Sequence, residues 1–475
     1  MKVPNWLEQR AASHRDHPAL IGAFGAVTYG ELHARAAAAA ALLHERGARS
    51  GAPVGVLLPN GLAFAVTLHA LMRCGAVLVP LGTRLTAAEL AAQLSQASVC
   101  LLVTDGRRPG LEAELAAHGW HGTLLDAARP DDCAHAVGPA LPINLEAPHC
   151  VVFTSGSSGR PKGVVLTYAN HLWSAFASAA NLGIHAGDRW LSSLPPSHVG
   201  GLSVLLRSVV YGTTAVLHDG FEPAAANRAI DEQRVTIVSV VANMLQRMLA
   251  ERGARPYPSW LRCVLLGGGP APRALLELCA ERGIPLAPTY GLTEGASQVA
   301  TRVPSSAPFP AGAVGKALLG TELRIAGAPV GEILVRGPTV SPGYTGSTEP
   351  PTDAEGWLHT GDLGYLGEDG ELHVVGRADD TIISGGENVH PAEVEAALES
   401  HPAVLEACAF GIPDERWGEV LHARVRLTPG ASVEAEELRA HVRSRLAGYK
   451  VPRAIEVVED FPRTASGKIV RPARQ

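Results

Sequence analysis

Short apolar runs alternate with helix-forming segments from the N-terminus to about residue 300, and this alternation restricts the fold more than any other feature of the chain. Val54–Leu58, Val77–Leu81, Val99–Thr104, Val235–Val241 and Val264–Leu266 are strand candidates, most of them rich in β-branched residues. Runs apolar on both faces need cover on both faces, so the expected class is α/β, with mainly parallel sheets between layers of helix. Thr28 followed by Glu31 predicts a capping box ahead of an alanine-rich helix at about 30–46. The alanines at 36–41 read as a close-packing helical surface. After residue 320 the pattern changes. Strands Glu332–Arg336 and Glu371–Val375, with turns such as Glu368-Asp369-Gly370 between them, suggest a small β subdomain. Beyond Arg377 come a strand-like Thr381–Ser384, a helix from Pro391, a strand near Ala407–Phe410 and a helix near 433–446. That is a small α+β unit, long enough to fold as its own domain. The expected division is a large domain, 1–378, and a small C-terminal domain, 379–475. The stretches 127–142 and 303–314 carry the prolines of loops.

Within this scaffold, residues 154–163 read Thr-Ser-Gly-Ser-Ser-Gly-Arg-Pro-Lys-Gly, between the apolar runs Cys150–Phe153 and Gly163–Leu166. Glycines let backbone N–H groups close on an oxyanion, and hydroxyls and a lysine add donors, so the loop reads as a phosphate cradle. It is not a Walker A loop, because Pro161 precedes Lys162 and Gly163 follows it. The competing reading is a flexible linker, but linkers rarely separate two apolar strands.

Charge and composition narrow the partners. The net charge of −6 and the lack of a polybasic run argue against a nucleic-acid or membrane surface. The N-terminus has no apolar core of a secretory signal, and no run reaches transmembrane length, so no integral membrane segment is expected. Cys74, Cys100, Cys133, Cys150, Cys263, Cys279 and Cys408 are scattered without a C-x-x-C pair. They read as reduced, mostly buried thiols of a cytoplasmic protein, not as a disulfide frame or a zinc site.

Five further motifs carry chemistry. Tyr290-Gly291-Leu292-Thr293-Glu294 follows an apolar run, and a carboxylate at the end of an α/β strand lies where ligands bind. Magnesium carried by a nucleotide is held by one or two carboxylates, which makes Glu294 a metal candidate; a helix-capping surface glutamate is the competing reading. Gly267, Gly268 and Gly269 after Val264–Leu266 would let a flat ring lie against backbone, or form a plain turn. His198, in Pro195-Pro196-Ser197-His198, could line a pocket, gate it or act as a base; a packed histidine is the alternative. Asp362, after Thr360-Gly361, could accept both hydroxyls of a ribose diol, or serve an Asx turn. Lys468, on the Ser466-Gly467 loop near the C-terminus, is a cation to deliver onto an anionic site, or a frayed surface lysine.

The phosphate loop, the Tyr-Gly-Leu-Thr-Glu run, the Thr-Gly-Asp run, Gly376-Arg377-Ala378-Asp379-Asp380 and the terminal Ser-Gly-Lys resemble, in order and spacing, the adenylate-forming superfamily. That superfamily holds acyl-CoA synthetases, firefly-type luciferases and adenylation domains of peptide synthetases, and the likeness covers nearly the whole chain. Further stretches, Gly201-Leu202-Ser203, Thr293 to Gln298 and Ile383-Ser384-Gly385-Gly386-Glu387-Asn388, look most like its 2-succinylbenzoate–CoA ligases of menaquinone biosynthesis. The resemblance implies ATP, Mg2+ and coenzyme A, with a small carboxylic acid as the other substrate. It implies that Thr154, Ser155, Gly156, Ser157, Ser158, Gly159 and Lys162 hold the ATP phosphates, and that Gly267 to Gly269 and Tyr290 flank the adenine. Thr293 and Glu294 would bind phosphate and Mg2+, and Asp362 and Arg377 the ribose. His198 would sit beside the reacting carboxylate. Asp379 would be the hinge about which a mobile C-terminal domain turns. Lys468 would bridge substrate carboxylate and α-phosphate, and Ser384, Gly385 and Gly386 would line the pantetheine path. Arg207, Ser297 and Gln298 are candidates for positioning a second carboxylate of the acid, with Arg207 in a structural pair as the alternative. Rival readings are another aryl or medium-chain acyl-CoA synthetase, an amino-acid-activating domain, and a nucleotide-binding protein without catalysis. Lys468 lies seven residues from the end of the sequence, so a fused carrier domain is not expected, which weakens the amino-acid-activating reading. A homo-oligomer is compatible with the sequence.

Overall fold

The computed structural model describes residues 1–127, 140–154, 161–310, 312–327, 329–378, 380–384, 387–414, 418–464 and 469–472, and everything structural below concerns these. It is an α/β molecule with two large helix-covered sheets, a small β sheet and a C-terminal α+β unit.

The first large sheet runs, edge to edge, Gly343–Tyr344, Lys162–Thr167, Pro148–Thr154, Val77–Pro80, Pro53–Leu57, Leu101–Thr104 and Thr123–Asp126. Its last five strands are parallel, while Pro148–Thr154, Lys162–Thr167 and Gly343–Tyr344 pair antiparallel. The second runs Lys316–Ala317, Ser297–Thr301, Leu286–Leu292, Cys263–Leu266, Ile237–Val240, Arg189–Ser192, Thr214–Leu217, Pro18–Gly22 and Gly25–Thr28. Its six central strands are parallel, with two antiparallel strands closing one flank and one closing the other. Both central runs are fully buried, as continuous β-branched and leucine stretches require.

Helix starts follow local chemistry. Thr28 and Glu31 form the expected capping box for Tyr29–Glu45. Thr86 with Glu89 and Thr167 with Asn170 form two more. Each satisfies two backbone donors that the first helical turn leaves open. The Thr167 box launches helix Tyr168–Leu182 directly from the strand leaving the phosphate loop, which fixes that helix relative to the loop.

Glu322–Ala326, Gly331–Arg336, Leu358–Leu366 and Leu372–Arg377 form the small antiparallel sheet. The C-terminal unit has strands Glu387–Val389, Ile382–Ser384, Gly418–Leu427, Val404–Asp414 and Ala454–Val457 against helices Pro391–Glu399 and Ala435–Arg443, with its own core around Val394, Leu398, Ala409 and Leu438. Most strand expectations hold with shifted ends. Val99 and Cys100 stay outside Leu101–Thr104, and the run expected at Val235–Val241 is the strand Ile237–Val240. The stretch expected as a loop at 303–314 contributes single bridges, Ser305 to Leu286 and Ala313 to His373, so it lies along the sheet edges.

Candidate active site

Strands Pro148–Thr154 and Lys162–Thr167 form the hairpin expected around the phosphate loop, with Thr154 opposite Lys162 and the Thr154 hydroxyl 3.5 Å from the Lys162 carbonyl. The loop residues Ser155, Gly156, Ser157, Ser158 and Gly159 lie outside the described residues, as do Asp379, Gly385, Gly386 and Lys468. Only the backbone of Ser384 is described, at the end of strand Ile382–Ser384.

Glu294 sits on the short 3-10 turn Thr293–Gly295, where the chain reverses between Leu286–Leu292 and Ser297–Thr301. The reversal is tight. A Cβ on Gly291 would meet the Ser297 carbonyl oxygen at 1.8 Å, so only glycine fits there. Ala296 and Ser297 take φ values of 53° and 106°, positions that side chains avoid. Such strain costs roughly 1–3 kcal/mol per residue and gathers where a site must be held in one shape.

Tyr344 joins this turn to the phosphate hairpin, and sequence reasoning missed it. Its hydroxyl donates to Glu294 Oε1 at 3.1 Å, and Lys162 Nζ stands 5.5 Å from its ring centroid. Gly163 makes the approach possible. A Cβ there would meet Thr345 at 2.5 Å and Val151 at 2.8 Å. Ser341 completes the latch, its N–H donating to the Glu294 carbonyl at 2.7 Å and its hydroxyl to the Val165 carbonyl at 2.7 Å. The phosphate-loop lysine and the metal-candidate carboxylate are therefore held on one aromatic ring. The Tyr344 phenol is pushed up by burial and then by Glu294, which keeps it a proton donor. One oxygen of Glu294 takes this hydroxyl and the other is left for a cation, a donor set that suits Mg2+. The only sequence hint was an aromatic residue directly after Pro342-Gly343.

Tyr290 and Asp362 form a second group. The Tyr290 hydroxyl donates to Asp362 Oδ2 at 2.7 Å, and Arg377 Nη1 donates to Oδ1 at 3.2 Å from the paired position on the neighbouring strand. Asp362 lies inside strand Leu358–Leu366, so the Asx-turn alternative fails. Tyr290 is buried against Val299, Ile333 and Val335, and burial first, then Asp362, raises its phenol well above the usual value. Gly267, Gly268 and Gly269 follow Cys263–Leu266. A Cβ on Gly267 would strike Thr289 at 2.7 Å, whereas Gly269 faces open space and both Gly268 and Gly269 are exposed.

The acyl candidates gather behind the Glu294 turn. Arg207, on helix Val199–Tyr211, is 2 % exposed, yet among the described residues no carboxylate lies within ion-pair distance of it. Its Nη2 donates to Ser174 Oγ at 2.9 Å, and Ser174 donates to the Ala296 carbonyl at 2.7 Å. Its Nε is buried without a partner, and the guanidinium faces Trp190 at 5.8 Å. Burial lowers its pKa. The structural-pair alternative for Arg207 therefore has no acid to rest on. Ser203 lies 3.4 Å from Ser297 hydroxyl to hydroxyl, and Gln298 is 3 % exposed with both amide atoms unpartnered. Such groups are expensive to bury unless something completes them. His198 is half-buried and caps the Arg207 helix through its backbone, not its side chain.

In the C-terminal unit, Arg463 is held by Glu406 at 2.8 Å and bridges to Ile469, while Arg471 bonds Glu395 and lies 3.3 Å from Asp380. The residues on either side of the 465–468 stretch are thereby anchored to the unit's own core.

These features belong to a nucleotide-dependent enzyme that handles an anionic second substrate. Residues 7–345 match the AMP-binding enzyme family and 393–468 its C-terminal domain, so the chain belongs to the AMP-binding, adenylate-forming enzymes. It is 44% identical over 483 residues to a 2-succinylbenzoate–CoA ligase of Geobacillus kaustophilus, covering 99% of this chain and 96% of that one. Among solved structures it is similar to the o-succinylbenzoate coenzyme A synthetase of Bacillus subtilis with ATP and magnesium, at 39% identity, TM-score 0.92 and 99% of each chain. The same enzyme bound to its acyl-adenylate gives 38% identity and TM-score 0.89, over 100% of this chain and 99% of that one. Among the described residues no helix is long and apolar enough to cross a membrane.

Proposed function

We propose that the protein joins 2-succinylbenzoate to coenzyme A through an acyl-adenylate, at the cost of ATP. The observation that carries the substrate assignment is Arg207, a buried cation with no carboxylate partner among the described residues, whose Ser174 partner leads to Ala296, two residues before the buried, unpartnered amide of Gln298. A dianionic aromatic acid supplies what this pocket lacks. One carboxylate reacts at the α-phosphate and the other settles on Arg207, Ser297 and Gln298. The relatives' names point to the same acid.

In the first half-reaction both partners are anions, so the protein's task is placement and charge neutralisation. Thr154, Lys162 and the loop 155–159 hold phosphate, Asp362 and Arg377 the ribose, and Gly267 to Gly269 with Tyr290 the adenine side. Mg2+, when bound at Glu294, neutralises charge on the phosphates. His198 lines the acyl side and Lys468 is brought to the reacting oxygens. In the second half-reaction the thiol of coenzyme A displaces AMP, with the pantetheine running past Ser384 to Gly386. The two steps ask for different surfaces of the C-terminal unit, and Asp379 is the hinge, dividing 1–378 from 379–475. Support for a separate C-terminal unit is its own core around Val394, Leu398, Ala409 and Leu438, with Arg471 anchored on Asp380 and Glu395.

The test is pyrophosphate release against a panel of carboxylic acids, with and without coenzyme A, products being identified by mass. 2-Succinylbenzoate should give the highest kcat/KM. Analogues lacking the second carboxylate should lose about 10⁴-fold or more, because the site's buried polar groups would be left unpaired. Arg207→Gln should erase most of that preference. Benzoate or a fatty acid winning in the wild-type enzyme would refute the substrate while leaving the ligase chemistry standing.

A further inference from the structure

The strand that feeds the phosphate loop carries, at its other end, a buried cluster that adenylation leaves unused. His149 and Cys150 lie on Pro148–Thr154 and His171 on helix Tyr168–Leu182; they are 1 %, 0 % and 3 % exposed. Their ligand-capable atoms all lie within 4.8 Å of one another. Cys150 Sγ is 3.3 Å from His171 Nε2, and the His149 and His171 rings meet edge-on with centroids 4.9 Å apart.

Neighbouring residues of a regular strand point to opposite faces, so His149 and Cys150 should not share a site. A bulge removes the obstacle. Cys150 pairs with Leu166 and Pro148 with Thr167, which makes His149 an extra residue in its strand. A bulge of this kind re-aims a side chain.

The second observation is that, among the described residues, His149 has no hydrogen-bond partner at either ring nitrogen, although both are buried. The Tyr168 hydroxyl is likewise buried and unpartnered among the described residues, and its ring lies 4.6 Å from that of His149. Unpaired polar groups at such depth are costly, and several in one place call for a common partner. A neutral imidazole offers a lone pair to a metal, and a cysteine binds one through its thiolate sulfur after giving up its proton.

We propose that His149, Cys150 and His171 bind one Zn2+. On binding, the Cys150 thiol proton leaves to solvent and its sulfur bonds the metal; nothing is oxidised or reduced. Zinc–sulfur and zinc–nitrogen bonds of roughly 2.3 and 2.0 Å put ligand atoms about 3.3–3.8 Å apart, so the cluster contracts by about 1.5 Å at most. The site is distinct from Glu294. It would bolt helix Tyr168–Leu182 to the strand that ends at Thr154.

The experiment strips the full-length enzyme with a chelator and desalts it. Zn2+ is then added back and the retained metal measured by mass spectrometry, and Co2+ is used in parallel as an optical probe. About one Zn2+ per chain should remain, and Co2+ should give a thiolate-to-metal charge-transfer band. Cys150→Ser and His171→Ala should each lose at least about 100-fold in zinc affinity, with the band gone from Cys150→Ser, while Cys263→Ala keeps both. The wild-type measurement stands even if a variant folds poorly. No retained zinc and no band in the wild-type enzyme overturns the proposal, and so does undiminished binding in both folded variants.

Discussion

Tyr344→Phe isolates one hydrogen bond to the carboxylate proposed to hold magnesium. The change keeps the ring under Lys162 and removes only the hydroxyl that donates to Glu294 Oε1 at 3.1 Å. A hydrogen bond to a charged group contributes about 1.5–3 kcal/mol. If that energy serves to hold Glu294 toward the phosphates, its loss slows adenylation by about 10–100-fold, at 1.4 kcal/mol per factor of ten. The freed carboxylate can also turn away, so half-maximal Mg2+ should rise. The ring's packing is unchanged, and thioester formation from pre-made acyl-adenylate, which needs no metal at the departing pyrophosphate, should proceed at the wild-type rate. The assay is pyrophosphate release at graded Mg2+, paired with a separate thioesterification assay. A loss under about threefold at every Mg2+ concentration would refute the positioning role, because it would put the bond's worth below about 0.7 kcal/mol. Equal losses in both half-reactions would instead assign Tyr344 to general packing.

Other outcomes follow from the same structure. Lys468→Ala should slow adenylation by about 10²–10³-fold and spare thioesterification of supplied acyl-adenylate, while Asp379→Pro should show the opposite bias, since a fixed φ hampers the hinge; equal loss of both steps in both variants would end the rotation reading. Glu294→Ala should sharply reduce pyrophosphate release at ordinary Mg2+, and near-normal release would remove it from the metal site. Burial pushes the Glu399 carboxyl up to about 8 from 4.5, so the folded chain holds that proton longer than the unfolded one. Its stability contribution is therefore intact below about pH 4.5 and declines as pH rises toward 8, so urea midpoints at pH 5 and pH 8 should converge in Glu399→Gln relative to wild type.

The sequence was most legible where chemistry is local. The Thr28–Glu31 box, the strand-flanked phosphate loop, and Asp362 opposite Arg377 all lie close along the chain or within one hairpin. It was least legible where a side chain arrives from a distant segment. Tyr344 reaches Glu294 across 50 residues, and Arg207 reaches Ser174 across 33. Neither contact leaves a spacing pattern, since each depends on how two elements cross. Arg207 could be singled out, but its lack of an acidic partner among the described residues could not. That absence exists only once every neighbouring element is in place.

The buried His149, Cys150 and His171 cluster carries the same lesson further. Counting cysteine pairs argued against a zinc site, because the usual signal is two ligands separated by two to four residues. Here two ligands are adjacent and made co-facial by a bulge, and the third lies 21 residues on, one turn into the next helix. That helix starts at the Thr167 capping box, immediately after the strand returning from the phosphate loop. The same short segment thus fixes both the hairpin that holds Thr154 and Lys162 and the face that presents His171. A metal at the cluster would tie the strand's entry to the helix that follows its return. The phosphate loop would then be a span clamped at both ends, and its geometry would depend on residues that never touch ATP.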